Sequence, residues 1–88
     1  MRTVYKFPVR IVDEFVINLP VDAKVLAVAE QFGESQLWIE LESSKVKLPR
    51  RFYVFGTGQM LPPSGRLTHI GTWQTQGGQF VWYLYEER

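Results

Sequence analysis

Three short runs of aromatic and β-branched residues, parted by glycine, dominate the second half of the chain: RRFYVFGTG over residues 50–58, LTHIGTW over 67–73 and QFVWYLY over 79–85. Such residues fit a pleated, half-buried surface, and each run is bounded by turn formers. The last run places Phe80, Trp82 and Leu84 on one face and Val81, Tyr83 and Tyr85 on the other. A strand apolar on both faces belongs in the middle of a sheet or under cover on both sides.

The first half reads in the same period of two. Residues 3–9 place Tyr5, Phe7 and Val9 on one face, and Pro8, lacking an amide donor, puts this strand at an edge or ends it. Residues 12–19 present Phe15, Ile17 and Leu19 to the core, and residues 36–42 present Leu37, Ile39 and Leu41. Residues 23–32 fit two templates. Read as a strand, they form a hairpin with 36–42 through Gly33-Glu34-Ser35; read as a helix, they are capped by Asp22 and Gly33. Residues 42–49 read as a polar connection, and QMLPPSG over 59–65 as the longest turn-like stretch. Gly71 interrupts its strand, which signals a bulge or a close backbone approach. Residues 75–78 form a hairpin turn. The expected fold is all-β: a small antiparallel sandwich or barrel-like sheet of six to seven strands, with little or no helix, in one domain over 1–88.

A chain of 88 residues has a thin core, and 15% aromatic content is one way to obtain enough burial. Rings left over would then sit in an interface. Trp38, Tyr53, Trp73 and Tyr83 are the candidates, and a homo-oligomer, most simply a dimer, is expected. With no cysteine, disulfides and thiolate metal sites are excluded. No run approaches the roughly 20 apolar residues of a membrane helix, so no membrane partner is expected. A net charge of +1 argues against general attraction to nucleic acid.

Few residues suggest chemistry. His69 is the only histidine and lacks a second metal ligand of its kind. Glu40 and Glu42 share a strand face, as a solvated pair would. Neither a catalytic nor a metal site can be assembled, so no enzyme and no cofactor is expected. Gly56-Thr57-Gly58 lacks the lysine and helix start of a phosphate loop, yet its glycines let a ligand reach the main chain. Lys45, Lys47, Arg50, Arg51 and Arg66 are the one local excess of cations, with Tyr53, Trp73 and Tyr83 on neighbouring segments. Arginine can hold a carboxylate or phosphate through two hydrogen bonds. The candidate contact residues are therefore Arg50, Arg51, Tyr53, Gly56, Thr57, Gly58, Gln59 and Trp73.

Several short motifs occur in a fixed order: Tyr5-Lys6-Phe7-Pro8, Leu19-Pro20 with Ala23-Lys24-Val25-Leu26, Leu37-Trp38, Arg51-Phe52, Gly56-Thr57-Gly58, Ile70-Gly71-Thr72, and Val81-Trp82 ending in Glu86. In these the chain resembles a family of small proteins encoded mainly by bacteriophages and prophages and carried as a domain of unknown function. In that pattern a histidine often follows Gly-Thr-Gly and another follows Val-Trp; here those places hold Gln59 and Tyr83. The resemblance implies no catalytic residue. It implies work in the host cell cytoplasm by stoichiometric binding: of a host protein, whether an enzyme or a defence component, or of a small signal molecule. Two other readings stay open: a nucleotide or cyclic-nucleotide binder using Gly56, Thr57 and Gly58, and a single-strand nucleic-acid module using cations and rings.

Overall fold

The alternating segments are seven strands in a computed structural model, which describes residues 1–63 and 65–87: β1 (Arg2–Pro8), β2 (Glu14–Pro20), β3 (Lys24–Gln31), β4 (Glu34–Glu42), β5 (Lys47–Gly56), β6 (Leu67–Thr75) and β7 (Phe80–Glu87). They form two antiparallel sheets with strand orders β1-β4-β3 and β2-β5-β7-β6. The inward faces of these sheets make one core, so the architecture is sandwich-like and all-β, as the alternation requires. Its centre is Leu37, Ile39 and Leu41 from β4, Phe52 and Val54 from β5, and Leu84 from β7.

The 23–32 ambiguity resolves as a strand. β3 and β4 form a hairpin in which Gln31 opposes Glu34. Its loop is the pair Phe32-Gly33, one residue earlier than the sequence suggested. Both have positive φ, 53° and 79°, which makes a type I′ turn. Pro8 does end an edge strand, and β7 does lie inside its sheet, between β5 and β6.

Gly71 meets both of its expectations. The β6–β7 register shifts between His69 and Gly71, so a bulge is present. A Cβ on Gly71 would also stand 2.7 Å from Cγ1 of Val28. Here β6 and β3, the edge strands of the two sheets, pack together and close one side of the sandwich.

One connection shapes the outer surface. β5 and β6 are each antiparallel to β7, so they run parallel to one another. β5 ends with Gly56 opposite Trp82, whereas β6 begins with Leu67 opposite Glu87. The link between β5 and β6 must therefore return along β7 from the level of Trp82 to that of Glu87 before β6 can start. Leu61 of this crossover lies beside Phe55, Tyr83 and Tyr85, rings on the face turned away from the core. That is why Phe55 is buried although it stands apart from the main core cluster.

Candidate functional site

The crossover leaves a hollow of about 200 Å³ against the outer face of the four-stranded sheet. Gly56, Thr57, Gly58 and Gln59 form one rim, and Leu61 lines the hollow with an aromatic wall of Phe55, Tyr83 and Tyr85. The rim is held by its own hydrogen bonds. The Gln59 amide donates to the Gly56 carbonyl at 3.1 Å, and Gly56 N–H donates to Gln59 Oε1 at 3.0 Å. Gly58, with φ of 86°, makes the tight turn possible. Thr57 Oγ1 lies 3.3 Å from the Tyr83 hydroxyl, tying rim to wall.

The wall continues as a row of rings along the sheet. Tyr53 stacks on Phe55 at 6.4 Å, Phe55 meets the edge of Tyr85 at 5.6 Å, and Tyr85 meets His69 at 5.4 Å. Cross-strand register places these rings together: Tyr53 opposes Tyr85, Phe55 opposes Tyr83, and His69 opposes Tyr85. The Tyr53 hydroxyl donates to Glu87 at 2.8 Å, which holds its pKa above the ordinary phenolic value. His69 lies 2.8 Å from Thr72 Oγ1 through Nε2.

The eight sequence candidates thus divide. Gly56, Thr57, Gly58 and Gln59 come together at the hollow, and Tyr53 extends its wall. Arg51 lies on the outer face further along β5, bonded to Glu14 at 2.9 Å. Arg50 points the other way. It holds Glu86 through Nε at 2.5 Å and Nη2 at 2.7 Å, and the Ala23 carbonyl through Nη1 at 2.6 Å. Its donors serve the fold, and the hydrogen bond to Glu86 raises its pKa further. Arg50 and Glu86 also line a broader hollow of about 720 Å³ beside Pro20 and Leu48, together with Arg51 and its exposed pair with Glu14. Trp73 is a correction: it is 4% exposed, fills the core, and donates through Nε1 to Ser35 Oγ at 2.8 Å. It is not available as a leftover ring.

The cation cluster is also dispersed. Lys45, Arg50 and Arg51 are paired with Asp22, Glu86 and Glu14 respectively. Glu40, one of the two face-sharing carboxylates, is held below the usual carboxylate range chiefly by a hydrogen bond from Arg2. Among the described residues no group of three His, Cys, Asp or Glu side chains is placed to hold a metal ion.

Phe55, Tyr85 and Leu61 complete the lining and are absent from the sequence candidates. Tyr85 was visible as an outward ring of the last strand. Leu61 was not, because nothing local shows that the link between β5 and β6 brings it over β7.

No curated protein matches this chain, and no solved structure does. A family model described as a domain of unknown function (DUF7352) matches residues 1–88. The chain therefore belongs to that family, over its whole length.

Proposed function

We infer that this chain is a non-enzymatic binding protein that acts stoichiometrically, and that its contact is the aromatic-walled hollow beneath the β5–β6 crossover. The observation that carries this reading is the convergence of Phe55, Tyr83, Tyr85 and Leu61 on the Gly56–Gln59 turn. Rings beside accessible main chain suit a partner that inserts one side chain and hydrogen-bonds the backbone around it.

The size of the hollow favours a protein partner. At about 200 Å³ it lies below the roughly 300–1,000 Å³ of ordinary small-molecule sites. It takes a single side chain or a bare base rather than a whole nucleotide. Nucleotide capture is thus the second reading, supported by the flat rings and the Thr57 hydroxyl. Single-strand nucleic-acid binding is disfavoured, because much of the basic cluster is already neutralised by carboxylates. Phage origin, action in the host cytoplasm and a bacterial defence component as target extend the proposal. They rest on the motif resemblance alone.

The test is affinity capture from a bacterial lysate under conditions that retain small molecules, read by protein and metabolite mass spectrometry. A single protein recovered near one-to-one with the wild type, and lost with Leu61→Glu, supports the reading. A nucleotide recovered without protein favours the second reading. Capture that ignores the Leu61 substitution removes the hollow from the account.

A further inference from the structure

Phe32 is misplaced by every local criterion. It occupies the first position of a type I′ turn at φ 53°, where a bulky side chain is rare and asparagine or glycine is the usual choice. Its ring is 95% exposed, so it contributes almost nothing to the core of its own chain. A residue that satisfies neither its backbone nor its side chain within the monomer is best explained by a contact outside it.

The neighbourhood supplies the rest of an interface. Phe32 stands at the end of the sandwich where the β1–β2 link and the β6–β7 hairpin also turn. Beside it is a broad hollow of about 690 Å³, lined in part by Ile11, Phe80 and Trp82. Ile11 is 43% and Phe80 42% exposed, and Phe80 stacks on Trp82 at 6.1 Å. The same hollow carries Arg10, Glu30 and Glu34. Among the described residues Arg10 forms no ion pair, and neither acid has a cationic partner.

The patch therefore has a knob and a hole, and a cation and two anions left unpaired within it. A two-fold contact requires a surface complementary to itself, and this patch meets that requirement in shape and in charge. We propose that two copies of this chain associate through this end, with Phe32 of each seated in the hollow of the other and Arg10 of each facing Glu30 and Glu34 of the other. The contact lies apart from the Gly56–Gln59 hollow and does not depend on its function.

Sedimentation equilibrium from about 1 μM to about 1 mM tests this. The wild type should show a reversible monomer–dimer equilibrium. Phe32→Asn should weaken it at least about tenfold while raising the melting temperature, because asparagine tolerates positive φ. Arg10→Glu should weaken it as well. An equimolar mixture of Arg10→Glu with the double variant Glu30→Lys/Glu34→Lys should restore a heterodimer, since each copy then meets its opposite charge. A wild type that stays monomeric throughout leaves this end for a different protein and overturns the proposal. So does a Phe32→Asn dimer of unchanged affinity, or a charge-swapped mixture that stays monomeric.

Discussion

Trp73 and Ser35 join the two sheets near the end of the sandwich that carries the β3–β4 turn: the indole Nε1–H of β6 donates to the β4 hydroxyl at 2.8 Å, and both residues are buried. A buried indole without an acceptor costs the desolvation of its donor. Ser35→Ala should therefore destabilise by about 1–3 kcal/mol, and Trp73→Ala, which also empties core volume, by about 3–5 kcal/mol. Trp73→Phe combined with Ser35→Ala should cost less than the sum of Trp73→Phe alone and Ser35→Ala alone. Urea unfolding of the four variants checks this.

Gly71→Ala should destabilise by about 1–3 kcal/mol, because the new methyl would collide with Val28 across the closed side of the sandwich. The backbone there does not have a positive φ, so the collision alone decides. Val28→Ala in the same chain should recover much of the loss of melting temperature. If the double variant is no better than Gly71→Ala, the close approach of β3 and β6 is not the cause.

Arg50 and Arg51 are neighbours with opposite duties. Arg50→Ala would strand the half-buried Glu86 carboxylate and free the Ala23 carbonyl, for about 2–4 kcal/mol. Arg51→Ala removes only an exposed pair with Glu14, so the melting temperature should hardly move. Thermal unfolding of the two variants side by side separates the roles. Equal losses would contradict the geometry.

The Arg2–Glu40 contact makes the β1 edge sensitive to acid. The folded pKa of Glu40 lies below its ordinary 4.5, chiefly because Arg2 hydrogen-bonds the carboxylate. The unfolded chain thus takes up this proton first as pH falls. The contribution is complete above the unfolded pKa and is lost as pH drops through the folded one. Amide exchange in β1 should accelerate over that acid window relative to other strands. Arg2→Ala should remove the excess acceleration, and an unchanged profile would show that the pair is inert.

Most of the architecture could be read from alternation alone. Leu37, Ile39 and Leu41 keep one parity and one face, as do Phe15, Ile17 and Leu19, and Pro8 betrays its edge. Two things could not be read. The hairpin loop was placed one residue late, and because a strand alternates faces, that slip hid Phe32 inside an element rather than at its tip. The pairing of β5 with β7 instead of β6 is long-range, so nothing local revealed that the β5–β6 link brings Leu61 over the outer face. Trp73 was misassigned for a related reason. Composition shows that a small chain has rings to spare, but only the topology shows which ring fills the seam.

If the hollow beside the crossover is a contact site, Leu61→Glu should abolish the contact with least disturbance to the fold. Leu61 is 45% exposed and lies outside the core, so a charge there alters the rim and not the sandwich. The decisive measurement is the molar ratio of captured protein to bait for the wild type and for Leu61→Glu, with melting temperatures recorded for both. The wild type should recover a partner near one-to-one, the variant at least about tenfold less, and the two melting temperatures should be closely similar. A variant that captures the same partner at the same ratio would contradict this role for the hollow.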